Sequence, residues 1–362
     1  MSSITDASSL PLGSHPRPGF AAPGWLSGQD FDLRFVAGTS ALALATAAAL
    51  AIDGGLFKLL LVLDLWCLGY HHVIATFTRM ALDSDSSSRH RWLLTWAPLG
   101  VLGVVVALAL NLGAWAIVTI YLYWQWWHYT RQSYGVAQLY RLKSGVEPLS
   151  LREMQAAIYL LPLTGILYRS WQDPDEFLGA EVWTVPVPGA VLGLAAAITV
   201  AALTYTGWRM WRSWRAGQLA PAFALYLLSH LAIFGVGYFA FESIDYGWLV
   251  INVWHNAQYL LIVWLFNNRS FKNQVDPEHW LASTLSSRRN VGLYFGLTFA
   301  ASLALYLALS GAISLLSLSV TPVAVVVYQT INFHHYLVDG VIWKVRRPQV
   351  GAKFGLAPQQ QG

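Results

Sequence analysis

Residues 246–267 read YGWLVINVWHNAQYLLIVWLFN, and this stretch decides the fold. It contains no Asp, Glu, Lys or Arg, and its flanking charges are Asp245 and Arg269. About 20 apolar residues in a helix cross the hydrocarbon layer of a bilayer, so the run is long enough to span one. Its middle nevertheless holds His255, followed by Gln258 and Tyr259 at three and four residues. Polar groups at that depth are costly unless they face other helices.

Nine further runs share the pattern, near 34–52, 56–80, 93–110, 112–130, 153–170, 183–207, 219–241, 291–309 and 312–340. The composition agrees, with 56% hydrophobic and 11% charged residues, more apolar than a soluble chain can cover. Eighteen Trp and 17 Tyr supply amphipathic rings that suit the headgroup region. Tight turns are expected at Asn111-Leu112-Gly113 and at Ser310-Gly311, where neighbouring runs nearly fuse. The expected fold is all-α: a polytopic transmembrane helical bundle of about ten spans, forming a single domain over residues 31–347. The stretches 1–30 and 348–362 read as flexible tails, and the first lacks the apolar segment of a signal peptide.

Charge sets the orientation. Ten spans put both termini on one side, together with the loops after spans two, four, six and eight. Of the 22 Lys and Arg residues, only Lys58 and Arg169 fall on the opposite side. The positive-inside bias makes that basic side, and so both termini, cytoplasmic. The basic loops therefore read as topology, with no nucleic-acid partner, and the expected partners are membrane lipid and a hydrophobic small-molecule or lipid substrate. The single cysteine, Cys67, excludes a disulfide framework and a thiolate metal cage, and reads as packing.

Seven of the ten histidines lie inside the spans: His71, His72, His128, His230, His255, His334 and His335. Spans two, four, eight and ten run in the same direction, and in each the histidine lies at mid-depth or later. Parallel helices can bring such groups to one level. Neutral imidazoles without thiolates suit iron, copper or zinc, and leave positions open for dioxygen or water. His71, His72, His128, His255, His334 and His335 are the candidate metal ligands. Neighbours on a helix point about 100° apart, so one member of each adjacent pair is expected to turn away from a shared centre. Asp64, Gln132, Gln258 and His230 are placed to brace the ligating rings from behind. Tyr259 and Asp339 are the candidate catalytic groups. Trp124 to Tyr129 forms an aromatic run that reads equally as an interfacial belt or a substrate wall. Residues 134–140 read as an interfacial helix. Arg79 and Arg131, at helix ends near histidines, read as snorkelling cations or as a clamp for an anionic group.

The order of these elements resembles the Brp/Blh-type bacterial β-carotene 15,15′-dioxygenases. The resemblance is carried by Tyr70-His71-His72-Val73-Ile74-Ala75, Trp127-His128-Tyr129, Trp254-His255 and Phe333-His334-His335-Tyr336-Leu337-Val338-Asp339, followed by Trp343-Lys344. Ala75 or Thr76 stands where that family has an Asp, and Tyr259 stands where it has a second His. The resemblance implies a multi-pass protein of the bacterial inner membrane, with a non-haem Fe(2+) centre, acting as a dioxygenase or related oxidoreductase on a carotenoid- or lipid-like substrate. Other classes stay open on the residues alone: a membrane acyltransferase with His255 as general base, a haem-binding electron carrier, or a transporter.

Overall fold

A computed structural model of the chain describes residues 22–82, 89–315, 320–344 and 348–356. Helix α1 (Gln29–Ile52) and helix α2 (Gly54–Met80) form the first hairpin. Asp53 joins them, its carboxylate accepting the Gly55 N–H at 2.8 Å. Helix α3 (Arg91–Asn111) gives way to α4 (Ala114–Ser144) at Leu112-Gly113, where Gly113 takes a φ of 98°. That left-handed backbone is open to glycine at no steric cost, and the turn expected there is present. Helix α5 (Leu151–Gln172) starts in a capping box: Ser150 Oγ accepts from Glu153 N at 3.3 Å, and Ser150 N donates to Glu153 Oε2 at 2.7 Å.

Strands β1 (Glu176–Phe177) and β2 (Ala180–Glu181) then make a short antiparallel hairpin. Its turn residues Leu178 and Gly179 both have positive φ, which matches the twist of paired strands. Helix α6 (Gly189–Arg215) begins after Pro186 and Pro188, later than the expected start at 183. Helices α7 (Pro221–Phe239), α8 (Ile244–Ser270) and the short α9 (Trp280–Ser286) follow. Helices α10 (Val291–Leu315), α11 (Val320–Ile342) and the short α12 (Pro348–Lys353) complete the described chain.

The fold is an all-α bundle, and among the described residues seven helices are long and apolar enough to cross a membrane: α1, α2, α3, α6, α7, α8 and α10. The remaining expected runs coincide with α4, α5 and α11, which are long but more polar. Two boundaries are corrected. Helix α10 continues through Ser310-Gly311 without a turn, because a single glycine inside an apolar helix is tolerated. Helix α4 runs unbroken to Ser144 and absorbs residues 134–140, so no separate interfacial helix exists there and His128 lies mid-helix. The described parts of the two tails are packed. Leu26 is buried, and Asp32 accepts the backbone N–H groups of Leu26, Ser27 and Gly28. Phe354 is buried with its ring 6.1 Å from Phe266. Residues 1–21 and 357–362 lie outside the described residues.

Helix α8 is the axis of the bundle and is buried along nearly its whole length, whereas α3 and α6 are mostly exposed on the perimeter. Helices α1, α2 and α7 pack against α8, and α11 fits between α2, α3 and α4. The α7–α8 crossing is as close as two backbones allow: a Cβ at Gly247 would lie 1.9 Å from Gly237 O. Small residues at such crossings replace the hydrophobic drive that lipid cannot provide. Cys67 is exposed on α2, not packed. Arg79 does not snorkel either: it is fully buried, stacked between the rings of Phe266 and Trp343 at 4.2 and 4.1 Å, and donates to Ile342 O.

Candidate metal centre

Four helices each contribute one imidazole to a common point: His72 from α2, His128 from α4, His255 from α8 and His335 from α11. The rings close a circuit. Centroids are 4.9 Å apart for His72–His255, 5.0 Å for His255–His128, 5.1 Å for His128–His335 and 4.5 Å for His335–His72. All four are buried. Tyr336 stacks on His128 at 4.4 Å, Tyr129 covers His255 at 4.3 Å and Tyr259 covers His72 at 4.7 Å.

A local device in α2 selects its inward histidine. Residues Leu65–Gly69 form a π-helical turn directly before Tyr70-His71-His72. A π turn adds one residue to the helical register, and such insertions gather at functional sites. One extra residue rotates everything after it by about 100°. In a regular α-helix Asp64 would share a face with His71, seven residues on; with the π turn that relation fails, and His72 comes into phase instead. Asp64 meets α8, accepting from Asn252 Nδ2 at 2.5 Å and Asn256 Nδ2 at 3.3 Å. His71 turns away, its Nε2 2.6 Å from Thr298 Oγ1. On α11 the outward member is His334, which binds Leu93 O at 2.6 Å through Nε2 and stacks on Phe77. Each adjacent pair thus divides as helical geometry requires. His71 and His334, both candidate ligands, are not brought to the ring, whereas His72 and His335 are.

The nitrogens of the ring are the unusual feature. Among the described residues, Nε2 of His72, His128 and His335 and both nitrogens of His255 are buried with no hydrogen-bond partner. Leaving a buried polar group unpaired costs about 1–3 kcal/mol. Four such imidazoles side by side are not a satisfied core. His72, His128 and His255 offer nitrogens within 4.8 Å of one another, and so do His128, His335 and Asp339 with one atom each. Asp339 Oδ2 lies 3.9 Å from His128 Nε2 and 3.7 Å from His335 Nε2. Ligands about 2.1 Å from one ion lie no more than about 4.2 Å apart, so the donors fit a cation after small inward shifts.

Hydrogen bonds behind the ring set its tautomers. Tyr259 donates its hydroxyl to Asp339 Oδ1 at 2.6 Å. Tyr259 Oη therefore accepts from Thr76 Oγ1 at 2.7 Å and from Trp343 Nε1 at 3.1 Å. Thr76 Oγ1 in turn accepts from His335 Nδ1 at 2.8 Å. This chain holds the His335 proton on Nδ1 and leaves the Nε2 lone pair aimed into the ring, the arrangement that orients a metal-ligating histidine. Tyr259 and Asp339, the candidate catalytic groups, both lie at the site. Gln132 donates to His255 O at 3.3 Å. Gln258 and His230 do not reach it. Gln258 donates to Phe35 O on α1, and His230 is held by Ser133 Oγ at 2.8 Å and Ile158 O at 3.1 Å.

Sequence reasoning missed Thr76, Asn252 and Tyr129. Thr76 follows His72 by four residues, so the same-face rule would have found it once His72 was chosen over His71. Tyr129 donates to Asn252, which ties the ring covering His255 to the Asp64 network. A cavity of about 720 Å³ meets the site at His128, Tyr259 and Asp339. Trp124 and Trp127 line it, while Trp126 is buried elsewhere in the core. No family model, curated protein or solved structure matches the chain.

Proposed function

We propose that this chain is a membrane-embedded metalloenzyme in which His72, His128, His255 and His335, with Asp339, hold one divalent ion, iron in the first place, for oxygenation of a lipid-soluble substrate. One observation carries the reading: four buried imidazoles from four helices converge with unpartnered nitrogens. The donor set is all nitrogen and oxygen, and His128 and His335 with Asp339 make a two-histidine, one-carboxylate group of the kind that binds non-haem Fe(II). Bound iron would supply dioxygen activation. The chain's own part is to exclude water, to fix the imidazole tautomers through Thr76 and Tyr259, and to admit substrate through the cavity that ends at His128.

The topology proposed with it has ten spans and both termini in the cytoplasm. It rests on the charge asymmetry and on α4, α5 and α11 joining the seven apolar helices. The order of histidine motifs resembling the carotene dioxygenases supports the oxygenase reading. A general-base role for His255 alone has less support, because neither of its nitrogens contacts an acceptor that would orient it.

Metal analysis of the purified protein tests the proposal. The expected result is about one iron per chain with dioxygen-dependent turnover of an apolar substrate. A preparation without stoichiometric iron, copper or zinc, and unable to take any up, would sink it.

A further inference from the structure

The cavity that reaches the histidine ring is not uniformly apolar. At one end stand the rings of Trp124, Trp127 and Tyr336, and along its length Arg131, Arg141 and Lys344 contribute cationic groups to the lining. Among the described residues the only carboxylate in that lining is Asp339, which is engaged by Tyr259. Twelve of the lining residues, from Trp124 to Leu142, belong to α4, so the cavity runs along that helix. The rise of a helix places Arg131 about 4.5 Å and Arg141 about 20 Å along the axis from His128. The Arg131 guanidinium has neutral neighbours: it donates to the Tyr159 hydroxyl at 2.7 Å and lies 5.5 Å from the Tyr134 ring centroid. Arg141 shares its charge with Glu147.

The positive-inside rule explains cations in loops and at helix ends. It accounts for Arg141, in the last turn of α4, and for Lys344, just past the end of α11, but not for Arg131, which lines the cavity in the middle of α4 one turn from His128, where a pure hydrocarbon would offer it nothing to bind. A guanidinium recognises carboxylate or phosphate through paired charge-assisted hydrogen bonds. We infer that the substrate is an amphiphile, a long apolar chain with an anionic head, carboxylate or phosphate, held by Arg131 and Lys344. The inference rests on the metal-centre reading for what happens to that chain. The single-turn offset between Arg131 and His128 puts the part of the chain nearest the head beside the histidines, with the far part against the tryptophans.

Binding to the detergent-purified full chain tests this, using hexadecanoic acid, hexadecyl phosphate and methyl hexadecanoate as probes and metal content read on the same samples. The acid or the phosphate should bind at least tenfold more tightly than the ester. Arg131→Gln combined with Lys344→Gln should abolish that preference, and Arg131→Lys should keep it. Arg209→Gln, whose guanidinium pairs with Glu153 outside the cavity, should also keep it. Equal binding of acid and ester by the parent chain overturns the inference, as does a preference that survives the double substitution. If anionic bilayer lipid in nanodiscs erases the preference while zwitterionic lipid preserves it, the cations serve bilayer headgroups and the inference fails. A chain that discriminates acid from ester yet holds no metal overturns the metal reading alone. A chain that holds metal without discriminating overturns only the substrate assignment.

Discussion

His230 on α7 and His255 on α8 are both buried in the same bundle, at 0% and 1% exposure, yet their nitrogens meet different surroundings. Both nitrogens of His230 are paired, one with the Ser133 hydroxyl and one with the Ile158 carbonyl. Neither nitrogen of His255 is paired, and the imidazoles of His72 and His128 lie beside it with ring centroids at 4.9 and 5.0 Å. Burial alone therefore says little about a histidine. The distinguishing quantity is whether its nitrogens are satisfied by the protein, because an unpaired buried group persists only when something else offsets its cost. His71 and His334 fall on the His230 side of this divide, and His72, His128 and His335 on the His255 side.

The largest expected effect comes from His128, the one residue shared by both candidate ligand groups among the described residues. Replacing a partner behind a metal ligand typically costs about 10–100-fold in affinity, so deleting this ligand should exceed about 100-fold. His128→Ala is therefore expected to leave the helical content intact by circular dichroism while metal affinity, measured by competition with a chelator, collapses. Unchanged affinity would place His128 with the satisfied histidines and dissolve the contrast.

A smaller effect is expected one bond further out. Thr76 holds the His335 proton on Nδ1, and Thr76→Val keeps the shape while removing the oxygen. Metal affinity should fall by about 10–100-fold. Thr76→Ser should restore it, which a purely steric role for the methyl group would not allow.

Much of this was legible in the sequence, and what was not has physical causes. The apolar runs gave the bundle, since hydrophobic length is imposed directly by the bilayer. The common depth of His128, His255 and the two His pairs was visible because rise per residue is constant in a helix. Phase was harder. The π turn at Leu65–Gly69 shifts the register ahead of His71-His72, and nothing in that apolar stretch announces it. The choice between His334 and His335 depends on which side of α11 faces α3, where Leu93 O awaits His334. That is a tertiary fact. The length of α4 was hidden as well, because its last turns carry Arg141 and Lys143 and read as loop once the apolar run ends.

The smallest effect concerns stability alone, and it compares the two buried histidines directly in metal-free protein. His230→Leu removes an imidazole paired with Ser133 and the Ile158 carbonyl; Tyr226 still donates to Ser133 Oγ, but Pro162 offers no N–H to the carbonyl, so the change should strand it and cost about 1–3 kcal/mol. His255→Leu exchanges an unpartnered imidazole for an apolar side chain of similar bulk and strands no partner, so its cost should be lower or reversed in sign. Chelator-treated samples compared by thermal unfolding would rank the parent chain against each variant. On reloading with iron, His230→Leu should regain the parent's metal-dependent rise in Tm, whereas His255→Leu should not. If His255→Leu proved the more damaging change without metal, the nitrogens of His255 would have to be satisfied by the protein itself, and the difference between the two regions would reduce to packing.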